Sequence, residues 1–317
     1  MNNPKFAVYG AGGVGGYFAA VLARAGYSVG LIARGRQLEA IRQNGLRVES
    51  PKGHFSVQLA QVTDRPEEIG PVDALILAVK AWQVPEAAAA MRPLLSPASK
   101  VLPLQNGVEA PEQLQQALGR EHVLLGLCRI ISSVSAPGVI HDGGLEPLVA
   151  LGEFDGWPLS PNAKALADAL KASGVMVEAP ADMQGALWEK LLFIAAVSGV
   201  GAVSRATIGE IRQSEPTRKL LQQVMEEVHA IAVARGIRLA PQIVQKTMAF
   251  VETIPASGTA SMQRDIAGGR PSELEAIIGV GVRYGKQTGL ATPALDYIYA
   301  SLLPQERRAR SASAQAA

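Results

Sequence analysis

The segment Gly10-Ala11-Gly12-Gly13-Val14-Gly15 follows directly on the β-rich run Phe6-Ala7-Val8-Tyr9 and opens a helical stretch that ends at Gly26. A strand, a Gly-x-Gly-x-x-Gly turn and a helix in that order leave few folds open, because each glycine answers a separate steric demand. The first permits the tight turn, the second lets the backbone approach a pyrophosphate, and the third lets the helix pack on the strand. The phosphates then meet the N–H groups and the positive end of that helix. The spacing predicts a dinucleotide-binding unit of Rossmann type, with Gly10, Ala11, Gly12, Gly13, Val14 and Gly15 as its phosphate turn.

From residue 5 to about 178, short β-rich runs alternate with helical stretches, the signature of a parallel sheet with crossover helices. The strand candidates are residues 6–9, 28–33, 74–79, 101–104, 123–127 and 148–151. Between the second and third, residues 46–48 and 55–59 flank the turn Ser50-Pro51-Lys52-Gly53, so a hairpin is expected inside the crossover. After about residue 180 only helical patterns remain, at 182–203, 215–235, 240–252, 273–288 and 293–302. The fold expected is α/β: an N-terminal doubly wound sheet over residues 1–180, then an all-helical domain over 181–303. Residues 304–317, rich in Arg, Ser, Ala and Gln without apolar periodicity, read as a mobile tail.

Composition narrows the function classes. With 317 residues, 48% of them apolar and 18% charged, the chain has room for about two domains, each with a core. A formal net charge of +2 gives no reason to expect a nucleic-acid partner. The longest apolar run, 191–203, is broken by Ser198, Gly199 and Gly201 and falls short of the roughly 20 residues a bilayer span needs, so a buried helix and no membrane partner are expected. The single cysteine, Cys128, and the absence of an apolar leader after Met1-Asn2-Asn3-Pro4-Lys5 fit a cytoplasmic protein. His54, His122, His141 and His229 have no ligand spacing, so no metal site is expected. A homodimer through the apolar helical domain is the assembly this pattern allows.

The choice of dinucleotide is read at the end of the second strand, where an NAD-binding chain places an Asp or Glu on the ribose 2′-hydroxyl. Here Arg34 stands at that position and Arg36 follows it. Guanidinium groups suit a 2′-phosphate through charge-assisted, bidentate hydrogen bonds, so NADPH is the expected cofactor. In a doubly wound sheet, ligands lie beyond the carboxyl ends of the strands. Lys80 and Asn106 each follow such an end and are the polar candidates there.

Four further segments carry a resemblance: Lys80-Ala81-Trp82-Gln83-Val84, Gln105-Asn106-Gly107, Pro137-Gly138-Val139-Ile140-His141 and Trp188-Glu189-Lys190-Leu191. With Ser261-Met262-Gln263-Arg264-Asp265-Ile266 and Glu273, their order and placement resemble the ketopantoate reductase family over nearly the whole chain. The resemblance implies NADPH-dependent reduction of the ketone of 2-dehydropantoate to pantoate, a step toward coenzyme A. It implies Lys190 as the catalytic lysine and Asn106 as a residue near nicotinamide and substrate. Ser261 becomes a substrate ligand, Glu273 a cofactor ligand near the reacting centre, and Arg34 and Lys80 cofactor-side residues. The chemistry agrees, since hydride delivered to a ketone leaves charge on oxygen that an ammonium stabilises and protonates.

The family's asparagines four and eight residues beyond the lysine are Ile194 and Ser198 here, and Ile208 replaces a third just before Gly209-Glu210. Gly258, three residues before Ser261, also stands where an amide is expected. Loss of these groups weakens recognition of a polar substrate. Ser198 then serves as a smaller substrate ligand, and a more apolar or bulkier 2-oxo acid stands as the alternative substrate. A non-catalytic NADPH-binding sensor is the remaining reading, although it needs no proton donor.

Overall fold

The computed structural model describes residues 4–156 and 158–315. The chain divides into two units: Met1–Gln105 with Ala110–Met183, and Asn106–Glu109 with Gln184–Ala317.

The first unit is built on a five-stranded parallel sheet in the order Gln61–Thr63, Ser28–Ile32, Lys5–Tyr9, Val72–Leu77, Leu95–Pro103. Successive side chains of a strand point to opposite faces, and here both faces are dry. Phe6, Val8, Leu31, Ala74, Ile76 and Leu102 enter one apolar cluster. Ala7, Tyr9, Ile32, Leu75, Leu77 and Val101 enter another on the opposite face. This explains the near-continuous apolar runs in the sequence, which two-sided burial of a parallel sheet requires. Crossover helices include Gly13–Arg24, Gly35–Asn44 and Val84–Ala90.

The expected hairpin is present, Leu46–Glu49 running antiparallel to Phe55–Val57. It grows into a four-stranded sheet through Val139–Asp142 and Ser132–Ala136. A third sheet joins Met176–Glu178, Leu148–Gly152 and Leu125–Arg129. The strand expected at 101–104 begins at Leu95. Four further strands, Gln61–Thr63, Ser132–Ala136, Val139–Asp142 and Met176–Glu178, lie outside the strands expected from the sequence, being short and without a clear apolar pattern.

The second unit is predominantly α-helical: Met183–Ser204, Ile208–Gln213, Glu215–Ala234, Ile243–Thr253, Ser261–Ala267, Val280–Thr288 and Pro293–Gln315. A π-helical turn, Glu275–Gly279, leads into Val280–Thr288. Helix Met183–Ser204 is apolar enough and long enough to cross a bilayer, yet 67% of its most apolar window is buried inside the protein, as in a core helix. Leu191, Leu192, Ala195 and Val200 on it are almost completely buried.

The mobile tail expected from residue 304 is corrected by the structure. Helix Pro293–Gln315 runs through Pro304 without a break, and Glu306 and Ala309 on it are buried. The segment lacks apolar periodicity because polar groups anchor it: Arg310 Nη2 donates to Ser272 O at 2.9 Å and Glu306 accepts from Ser272 Oγ at 2.6 Å. At the other end of the same helix, Glu227 accepts the backbone N–H groups of Ala294 and Leu295 at 2.8 and 2.9 Å. A side chain from a neighbouring helix thus satisfies donors that every helix start leaves open.

Candidate active site

In the first unit the glycine turn behaves as its spacing demands. Gly10 sits at φ +108, and a Cβ there would press to 3.0 Å on the backbone of Ala78. A Cβ on Gly15 would overlap the Gly10 carbonyl oxygen, and one on Gly13 would lie 2.6 Å from Ser132 O. Gly12 differs, because nothing lies within 4 Å of where its Cβ would be. The turn is therefore closed on the protein side and open at Gly12, the position at which a backbone approaches a pyrophosphate. Helix Gly13–Arg24 has no side-chain cap and no acidic residue in its first turn, so its positive end suits an anion.

Gln37 holds this turn from outside the motif. Its Nε2 donates to Ala11 O at 2.9 Å, and its Oε1 accepts from Gly138 N at 2.9 Å. The Pro137-Gly138 segment thus buttresses the phosphate turn. No local pattern in the sequence marks Gln37, because both partners are far away along the chain.

Arg34 follows strand Ser28–Ile32 and caps helix Gly35–Asn44. Its Nη2 lies 3.0 Å from Glu86 Oε1, with the two side chains 58% and 64% exposed. Ion pairs this exposed are worth little, so the guanidinium is readily surrendered to a stronger anion. Burial pushes the Tyr9 phenol above its ordinary range, while the positive charge of Arg34 pulls it back. Lys80 is exposed at the start of the turn Ala81–Gln83, with Nζ 6.0 Å from the centre of the Trp82 ring.

Gln105 donates through Nε2 to Leu77 O at 2.9 Å and to Val79 O at 3.0 Å. Its Oε1 is buried without a protein partner. A buried acceptor left open costs free energy unless something fills it, and this one lies near the carboxyl ends of the sheet strands. An N–H of a ligand such as a nicotinamide carboxamide fits it. With the open Gly12 and the exposed Arg34, the residues present suit a dinucleotide.

In the second unit, Asn106 and Glu273 come together, with Asn106 Nδ2 donating to Glu273 Oε2 at 2.9 Å. Their distance along the chain, 167 residues, is spanned by tertiary structure alone. Gly107 beside Asn106 has φ +96, and a Cβ on it would lie 2.5 Å from Ala276 O, so only glycine allows this approach. Arg283 fastens the same approach, with Nη2 on Glu109 at 2.7 Å and Nη1 on Glu275 at 2.9 Å. Neither carboxylate nor the arginine belongs to a motif read from the sequence.

Lys190 is half-buried in helix Met183–Ser204. Two residues before it, Trp188 stacks on Tyr284 with ring centres 6.0 Å apart, and Arg235 covers the Tyr284 ring at 3.7 Å. Ile194, one turn on, is half-buried, while Ser198, two turns on, is only 3% exposed. Residues at these intervals share one side of a helix. Ser261 is exposed at the start of helix Ser261–Ala267, so the structure puts the two serines at different depths. Ile208 is buried in the core. The adjacent Gly209-Glu210 pair starts a helix, where Thr207 N–H and hydroxyl hold the exposed Glu210 carboxyl below its usual range.

Two family models match the chain. One, described as Ketopantoate reductase PanE/ApbA, covers residues 6–156, and the other, Ketopantoate reductase PanE/ApbA C terminal, covers residues 182–306. YkpB of Bacillus subtilis, an uncharacterized oxidoreductase, is 30% identical over 298 residues, which span 94% of this chain and 97% of its own. A 2-dehydropantoate 2-reductase of Mesorhizobium japonicum is 30% identical over 318 residues, covering 93% of this chain and 96% of that one. Among solved structures, a PanE/ApbA family ketopantoate reductase from Ralstonia eutropha JMP134 has a TM-score of 0.88 at 30% identity, covering 96% of this chain and 99% of that one.

Proposed function

Because the chain belongs to the ketopantoate reductase PanE/ApbA family, and is thereby an NAD(P)-dependent oxidoreductase, we propose that it reduces the ketone of a 2-oxo acid with NADPH, 2-dehydropantoate being the first reading. The observation that carries this is the hydrogen bond between Asn106 and Glu273 at 2.9 Å, which joins two residues from distant parts of the chain that the resemblance assigns to the reacting centre.

When bound, NADPH supplies the hydride. Arg34 would hold its 2′-phosphate, Gly12 and the helix start would take its pyrophosphate, and Gln105 Oε1 would accept from its carboxamide. As hydride reaches the carbonyl carbon, the electron pair of the C=O bond moves to oxygen. The Lys190 ammonium stabilises that charge and delivers the proton that completes the hydroxyl. Asn106, held by Glu273, presents its amide to the substrate.

Arg34→Ala is expected to raise the NADPH KM by about 10- to 100-fold, the worth of charge-assisted hydrogen bonds, while the NADH KM moves less than about twofold. Glu86→Gln, which removes the competing carboxylate, lowers the NADPH KM. Equal use of NADH and NADPH by the wild type would remove the role given to Arg34.

A second reading, a more apolar 2-oxo acid, rests on Ile194, half-buried on the Lys190 side of the helix where the resemblance calls for an amide. Steady-state NADPH oxidation against ketopantoate and 2-oxo acids of increasing apolar size separates the two. Turnover of ketopantoate is the expected result. A higher kcat/KM for apolar acids, reversed by Ile194→Asn, selects the second reading. Tight NADPH binding with no turnover of any acid rejects both in favour of a sensor.

A further inference from the structure

The last turns of helix Pro293–Gln315 carry no motif, and the proposed reduction gives them no step. Glu306 there is nevertheless only 2% exposed, and a carboxylate withdrawn from water is costly unless donors surround it. The donors come from one residue and one partner. Ser272 N–H reaches both carboxylate oxygens, at 3.1 and 3.0 Å, and Ser272 Oγ donates to Oε2 at 2.6 Å. Arg310 Nε lies 2.6 Å from Oε1, while its Nη2 donates to Ser272 O at 2.9 Å. The N–H, hydroxyl and carbonyl of Ser272 are all held by this helix.

The next residue is Glu273, buried and bonded to Asn106. Ser272 Oγ also accepts from Leu274 N at 3.3 Å, so Glu273 is bracketed on both sides. Its carbonyl accepts from Ala276 and Ile277 at 3.1 and 3.0 Å and leads into the π-helical turn, a geometry found often at functional sites. A second tie comes from the same helix, Tyr299 donating to Glu275 Oε1 at 2.7 Å.

We propose that Glu306, braced by Arg310, is a positioning residue for the reduction: by fixing the Ser272 backbone it sets the Glu273 carboxylate, and through it the amide of Asn106. The inference rests on the reading of Asn106 and Glu273 as parts of the reducing site. A purely structural Glu306 would lower stability and leave the turnover of folded enzyme unchanged. A positioning Glu306 changes turnover itself, since small misplacements of catalytic groups slow reactions by up to about a hundredfold.

The test compares full-length wild type, Glu306→Gln, Asn106→Ala and the double variant, with Val228→Ala as a control for lost stability in the same unit. Glu306→Gln keeps the size of the side chain but removes its charge. All are assayed well below their melting temperatures with the best 2-oxo acid of the panel. Glu306→Gln is expected to lower kcat by about 10- to 100-fold with the NADPH KM within twofold of wild type, and Val228→Ala to leave kcat unchanged. The double variant should lose no more than Asn106→Ala alone, because residues acting through one network are not additive. Unchanged kcat in Glu306→Gln, or losses that multiply in the double variant, overturns the proposal and leaves the reductase reading standing. Wild-type inertness to every acid overturns the reductase reading, and the positioning role with it.

Discussion

Lys190→Ala is expected to lower kcat for 2-oxo acid reduction by about 10²- to 10⁴-fold, the range for loss of a positioned proton donor, with NADPH affinity and melting temperature close to wild type. The separation of effects follows from where the side chain lies. Leu191 and Leu192 beside it carry the core packing of the helix, and the Trp188–Tyr284 stack fixes the helix at this end. Truncating a half-buried lysine touches neither. Lys190→Arg distinguishes its two tasks, because a guanidinium keeps the positive charge but does not give up a proton at neutral pH. Partial activity in Lys190→Arg assigns the main effect to charge stabilisation, and activity as low as in Lys190→Ala assigns it to proton transfer. A loss smaller than tenfold in Lys190→Ala would remove the lysine from the chemistry.

Two glycine substitutions, three residues apart, are expected to behave oppositely in stability and alike in binding. Gly15→Ala forces a methyl into the Gly10 carbonyl oxygen, so the helix must lift from the strand. Overpacking of this kind costs about 1–3 kcal/mol, and the displaced turn raises the NADPH Kd by about a hundredfold or more, since several phosphate hydrogen bonds fail together. Gly12→Ala meets no protein atom within 4 Å, so its melting temperature stays at the wild-type value. Its methyl instead occupies the space through which the pyrophosphate approaches, and NADPH binding weakens by a comparable factor. Titration calorimetry with thermal unfolding reads both. A Gly12→Ala protein that binds NADPH as the wild type does would place the phosphates elsewhere.

Features that rest on neighbouring residues are legible in the sequence itself. The glycine turn, the two-sided apolar strands and the hairpin at Leu46–Glu49 and Phe55–Val57 each leave a short pattern, as steric demands on adjacent positions must. Strand Ser132–Ala136 leaves none, because it is largely exposed and its identity as a strand comes from pairing with Val139–Asp142 and not from burial. Gln37, Arg283 and Glu306 leave no trace for the same reason. Each has at least one partner distant in sequence, and a polar residue with a distant partner looks locally like any surface residue. The segment beyond residue 303 shows the converse error. Hydrophobic periodicity detects helices that bury apolar faces, and this segment is fixed by a buried carboxylate and an arginine instead.

The short excursion Asn106–Glu109, which leaves the first unit at Gln105 and returns to it at Ala110, changes what can be inherited or exchanged in one piece. A helical cassette cut at Gln184 and moved to another host would arrive without the amide that meets Glu273 and without the carboxylate that meets Arg283. A single cut therefore cannot transplant the helical unit intact.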